Sequence, residues 1–162
     1  MTATATKPQT QATPTGNQAP QVPSAPREWT LAQIQAALSR RLPANLLKTK
    51  NLDGNTIRYL PWHTANEILD KYAPGWTWEI VRLETSRDRI FLIGRLTLPS
   101  AEGNIYREAT GTELLKKQQR NEKTGEIYEK EHSYGDPSSK AESMAFRRAA
   151  ARFGLGMHLY QD

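Results

Sequence analysis

Apolar positions recur along this chain in two rhythms, and each predicts an element. Leu31, Ile34 and Leu38 fall at helical spacing behind Thr30, a residue type that caps helices, so the rhythm predicts a helix over LAQIQAALSRR, with Pro43 stopping it. A second helix is expected over TANEILDKY, capped by Thr64 and ended before Pro74-Gly75. Between and after these, apolar and polar residues alternate or cluster among β-formers. TIRYL reads as a short strand, following KTKNLDGN as a basic turn. WTWEIVRLE, RIFLIGRLTL and IYREATGTELL read as three longer strands joined by the turns TSRD and PSAEGN, an antiparallel meander. The stretch KKQQRNEKTGEIYEKEHSYGD is almost all polar and is expected to be a mobile arm or an exposed ribbon turning at Lys123-Thr124-Gly125.

The last helix has the clearest ends. Asp136 suits the N-cap, Pro137 the first helical position and Gly154 the residue past its end. The order of elements predicts an α+β fold, helices packed on an antiparallel β-meander, with a long basic C-terminal helix. Residues 1–28 are different. They are Thr, Ala, Gln and Pro, hold half of the ten prolines and offer almost nothing to bury, so they are expected to be a disordered tail before a domain of residues 29–162.

On a wheel of 100° per residue, Phe146, Ala149 and Phe153 share one face of the last helix, with Ala145 and Ala150 on its flanks. That face should pack on the sheet. Arg148 and Arg152 are an i, i+4 pair on the opposite side, and Arg147 and Lys140 lie together a quarter turn further round, with Ala141, Ala145 and Ala151 between the bases. The expectation is a low basic strip. Glu142 falls near the phenylalanine face, a misfit assigned only to its place in the first turns. A basic strip is often a solvated face. Here the bases are mostly arginine, whose planar fork matches phosphate oxygens, and no acidic residue four positions on neutralises them. Further bases precede and lie on the first strand (Lys48, Lys50, Arg58) and follow the third long strand (Lys116, Lys117, Arg120), with Tyr59, Trp62, Trp76, Trp78, Tyr106, Tyr128 and Tyr134 interleaved.

A formal net charge of +5 agrees with a polyanionic partner. The absence of cysteine excludes disulfides and thiolate chemistry, and the three histidines have no metal-ligand spacing, so no cofactor is expected. The most apolar run, IFLIGRLTL, is too short to span a bilayer and is broken by Arg95, and the N-terminus has no apolar leader, so a soluble cytoplasmic protein without a membrane role is expected. No GxxxxGK[ST] loop is present, which removes the usual ATP machinery.

The stretch SYGDPSSKAESMAFRRAAARFGLGMHLY resembles the C-terminal helix signature of the Rad52-type single-strand annealing proteins, nearest to their bacterial DdrA-like branch, and IRYLPWHTANEILDKYAPGWTWEIV resembles that family's strand, helix, GW and strand segment. The resemblance spans residues 40–160. It implies an oligomeric ring or arc that binds single-stranded DNA and anneals complementary strands without ATP, in homologous recombination and double-strand break repair, and that is not an enzyme. The family's inner groove maps to Arg147 and Arg148, with Lys48 and Lys50 near a further family base. A third family base falls at Ala151, where the adjacent Arg152 is the nearest substitute; Lys140 completes the inner set. The outer DNA site maps to Lys116, Lys117 and Arg120. A single-strand-binding protein and other repair proteins are the further partners suggested, and the host a bacterium or a phage. Eukaryotic members carry a long C-terminal tail for the recombinase; with Asp162 the last residue here, annealing is implied and mediator activity is not.

Two rival readings come from other classes. A metal-dependent DNA-processing enzyme would need Asp53, Glu79, Glu84, Asp88 and Glu108 to converge, although they form no motif. A protein-binding module would use the charged arm and show no salt-sensitive affinity for oligonucleotides.

Overall fold

Thr30 opens the first helix of the computed structural model, which describes residues 21–52, 54–131 and 136–161. Its hydroxyl accepts the Gln33 N–H (3.3 Å) while the Gln33 side chain accepts the Thr30 N–H (2.9 Å), so two otherwise orphaned donors are satisfied reciprocally. Helix α1 (Leu31–Leu38) is shorter than expected. It ends where the Ser39 N–H closes on the Gln35 carbonyl, and the chain then makes a 3-10 turn at Ala44–Leu46. Of the expected tail, residues 1–20 lie outside the described residues. Residues 21–28 turn onto the domain: the Glu28 carboxylate accepts the N–H groups of Ser24 (2.6 Å) and Ala25 (3.1 Å), which holds it below its ordinary pKa, and Pro23 is buried.

The basic stretch after α1 is a strand rather than a turn. β1 (Lys48–Leu52) pairs antiparallel with β2 (Asn55–Tyr59), Lys48 opposite Tyr59 and Lys50 opposite Ile57. Its sequence has no apolar alternation because the ribbon is mostly solvent-facing, and the pairing itself makes the strand. Helix α2 (Trp62–Tyr72) starts earlier than expected. Leu60 and Pro61 are buried, the Pro61 carbonyl accepts the Ala65 N–H, and Thr64 becomes a buried residue of the first turn instead of a cap.

The meander is as expected: β3 (Thr77–Thr85), β4 (Arg89–Ser100) and β5 (Gly103–Leu114) form an antiparallel sheet in the order β3-β4-β5, with a bulge at Val81. The exposed ribbon is β6 (Lys116–Arg120) paired with β7 (Ile127–Glu131). Its turn is held by the Asn121 side chain, which accepts the Lys123 N–H (2.9 Å), and by the Gly125 N–H on the Asn121 carbonyl.

Helix α3 (Pro137–Ala151) lies across β4 and β5. Asp136 caps it as expected, accepting the Ser138 N–H at 2.9 Å, and Gly154 has the left-handed φ of 108° past its end. The predicted face packs inward: Phe146, Ala149, Ala150 and Phe153 join Ile34, Leu69, Leu96 and Leu98 in the main core. The expected role of the alanines is corrected. Ala141, Ala145 and Ala151 are buried and do not separate the bases at the surface. They let the helix backbone sit on the sheet. A Cβ on Gly111 of β5 would stand 1.8 Å from the Ala141 carbonyl oxygen, so position 111 has no room for a side chain, and Ala141 is itself fully buried there. Glu142 is also explained, and not by its place in the first turns. Its carboxylate accepts the Trp78 indole N–H at 3.0 Å, the partner a half-buried tryptophan needs.

Candidate nucleic-acid interface

The C-terminal half of α3 faces β2 across a groove of about 290 Å³. Helical spacing puts Arg147 and Arg148 on the groove side, the β1–β2 ribbon brings Lys50, Arg58 and Tyr59 to the other wall, and the 3-10 turn Met157–Tyr160 adds Tyr160. Among the described residues, no acidic one lines it. Tyr59 is the hub. The Arg147 guanidinium lies 5.6 Å from its ring centroid and the Lys50 ammonium 5.8 Å, so one aromatic ring collects the cations of two elements far apart in sequence.

Arg147 is half-buried. Burial lowers its pKa below the ordinary arginine value; Tyr160 and Tyr59 oppose that shift and the neighbouring Arg148 adds to it. A guanidinium remains charged at neutral pH even so. Arg148 is exposed. Its Nη1 donates to the Thr110 carbonyl of β5 at 3.1 Å, which aims the fork while leaving its other donors open.

The other sequence-predicted bases are placed elsewhere. Lys48 stands two residues before Lys50 on β1, exposed and outside the groove lining. Lys140 is exposed two turns before Arg147, also outside it, and Arg152 is exposed at the C-cap of α3, away from the lining. Lys116, Lys117 and Arg120 are exposed on β6, where strand alternation puts Lys116 and Arg120 on one face and Lys117 on the other. Lys116 is 3.6 Å from the Glu129 carboxylate across the ribbon. Sequence reasoning misses Tyr160, whose only signal is the final LY of the signature. It finds Arg58 and Tyr59 but gives no reason to join them to Arg147.

The acidic residues of the nuclease rival do not converge among the described residues. Glu79 and Glu108 both hold Arg95, at 3.0 and 2.6 Å, Glu84 pairs with Arg82, and Asp88 accepts the Ser86 hydroxyl; Asp53 lies outside the described residues. No helix among the described residues is long and apolar enough to cross a membrane.

Residues 30–162 match the family model described as Rad52/22 family double-strand break repair protein. The chain belongs to the Rad52/22 family. Among relatives, it is 37% identical over 143 residues to the DNA repair RAD52-like protein 1, mitochondrial, of Arabidopsis thaliana, covering 87% of this chain and 73% of that one. It is 32% identical over 136 residues to the DNA repair RAD52-like protein 2, chloroplastic, of the same plant, covering 82% of this chain and 61% of that one. Membership of the Rad52/22 family places the protein in DNA repair and recombination. Both relatives are plant organellar proteins, so neither speaks for the expected DdrA-like branch or for a bacterial or phage origin.

Proposed function

We propose that this protein binds single-stranded DNA and anneals complementary strands without ATP, as a step of homologous recombination and double-strand break repair. The observation that carries the reading is the convergence of Lys50, Arg58, Arg147 and Arg148 on one groove with Tyr59, with no carboxylate of the described residues in the lining. Such a wall holds phosphates through charge and forked hydrogen bonds, and counterion release makes the binding indifferent to sequence. The bases then face outward for a second strand to sample. Pairing supplies roughly 1.4 kcal/mol per base step, so annealing needs no hydrolysis. Lys116, Lys117 and Arg120 on the exposed ribbon are the proposed holding place for that second strand.

The active form in this reading is a homo-oligomeric ring or arc. One subunit offers few groups to hold phosphates, and linked subunits multiply them. The edge of the sheet supports it: β3 has a free outer side among the described residues, and Ile80, Val81 and Leu83 along it are exposed. An open edge with apolar side chains is suited to a second copy of the chain. The binding domain is residues 29–162, with residues 1–28 ahead of it, and the protein works as a DNA-associated binder and not as an enzyme.

The test is a gel shift with single- and double-stranded oligonucleotides at two salt concentrations, run beside annealing of complementary strands without ATP. Tighter, salt-sensitive single-strand binding with accelerated annealing is expected. Salt-insensitive or absent binding would return the protein-binding rival, and magnesium-dependent cleavage the enzyme rival.

A further inference from the structure

Beside β2, with no residue of α3 in its lining, lies a second cavity of about 520 Å³. Its walls come from three places: Arg41 and Leu42 from the segment after α1, Thr56 and Arg58 from β2, and His158 from the 3-10 turn. Leu42, Leu47, Ile57 and Leu159 make an apolar floor. Among the described residues, no aspartate or glutamate lines it. Among the described residues, the side chains of Arg41 and Arg58 enter no ion pair, and those of Arg41, Arg58 and His158 accept or donate no hydrogen bond. Two exposed guanidiniums beside an apolar floor give the cavity a positive potential, which favours an anion.

We propose that this cavity is a second phosphate site, holding a backbone phosphate of the same single strand that occupies the groove between β2 and α3. The inference rests on the DNA-binding reading above. One feature favours a strand over a free anion. Arg58, Ile57 and Leu159 line both the groove and this cavity, so the two adjoin and one strand can run through both. Arg58, Arg41 and the Thr56 hydroxyl supply donors for phosphate oxygens. Arg41 and Arg58 therefore extend the path of the backbone beyond the family-like groove. Arg41 and His158 stand at opposite ends of the described chain, so no local motif announces the pair.

The test leaves Arg58 in place, because it serves both sites, and changes the two residues that belong to this cavity alone. The full chain and its Arg41→Gln/His158→Gln variant are compared by fluorescence anisotropy with a long single-stranded oligonucleotide over a salt series. Melting is followed in parallel, with and without inorganic phosphate at constant ionic strength. The expected result is intact melting, affinity lowered several-fold, and a plot of log affinity against log salt shallower by roughly 0.7 for each phosphate the variant no longer neutralises. Should the double variant melt early, the exposed Arg41 is changed alone. Arg41→Glu should weaken binding and Arg41→Lys should largely preserve it. An unchanged slope, while the wild type binds with strong salt dependence, overturns the second site and leaves the groove reading standing. Phosphate that raises the melting temperature of the wild type but not of the variant, with the DNA slope unchanged, marks a site for a free anion and also overturns the proposal. If the wild type shows no salt-dependent single-strand binding at all, it is the underlying reading that fails.

Discussion

The guanidinium of Arg147 stacks 5.6 Å from the ring centroid of Tyr59, joining the C-terminal helix to the strand before α2. The contact links the two walls of the groove. A cation over an aromatic face is worth about 0.5–2 kcal/mol, depending on how dry the site is. Tyr59→Phe keeps the ring and should leave stability and single-strand binding near wild type. Tyr59→Leu should lower stability by about 1 kcal/mol in urea denaturation and weaken DNA binding as well. Equal behaviour of the two variants would show that the ring face is not what holds Arg147.

Arg147 and Arg148 should separate in their effects. Arg148 is exposed and makes one hydrogen bond, to the Thr110 carbonyl, so Arg148→Ala should melt close to wild type while the salt slope of single-strand binding falls by roughly 0.7 per phosphate. Arg147→Ala should lower both the slope and the melting temperature, since it also removes packing against Tyr59. A stable Arg148→Ala protein with an unchanged slope would remove that residue from the groove.

The ribbon bases are expected to act later. Changing Lys116, Lys117 and Arg120 together to alanine should slow annealing of complementary strands more than it weakens binding of one strand. Side chains on this ribbon are exposed, so folding should not suffer. Matched losses in both assays would mean that the ribbon belongs to the first strand's path.

Gly111→Ala should be among the most damaging single methyl additions. The new Cβ would meet the Ala141 carbonyl oxygen at 1.8 Å, and that oxygen is helix backbone that cannot turn aside. Overpacking of this kind costs about 1–3 kcal/mol or more. The drop should be seen in thermal melting, and an unchanged Tm would mean that α3 does not sit on β5 this closely.

The cap of α3 gives a pH dependence. The Asp136 carboxylate accepts the Ser138 hydroxyl at 2.6 Å and its N–H at 2.9 Å, and these bonds hold its pKa below the usual aspartate value. A lowered folded pKa means stability that is fully present above the unfolded value, near about 4, and is lost as pH falls through the folded one. Asp136→Ala should therefore melt below wild type at pH 7, and the gap should narrow as the pH drops below about 4. A gap that stays constant from pH 7 to pH 2 would rule out the charged cap.

Most of the elements were legible because their signals are local. Thr30 before an apolar 3.6-residue rhythm, Asp136-Pro137 before another, and three alternating runs with polar turns between them specify α1, α3 and the meander without reference to anything distant. The sequence misled where local chemistry was outvoted. Thr64 has a cap's side chain, but Leu60 and Pro61 are buried and the cap of α2 falls three residues earlier, at Pro61. KTKN has no strand rhythm, and only its pairing with β2 makes it one.

The site divides along the same line. The sequence by itself determined that α3 carries paired arginines with no acidic i+4 partner, and its signature was enough to name the family that the match over residues 30–162 then showed. Tertiary structure alone decided which bases meet. Lys50 and Arg147 are ninety-seven positions apart (147 minus 50) and are joined through Tyr59, while Lys48, Lys140 and Arg152, equally basic on paper, are left outside the groove. It also decided what the alanines of α3 are for. A residue with almost no side chain can leave room for a ligand or for a sheet, and the choice is made by which surface comes closest; here that surface is Gly111 of β5.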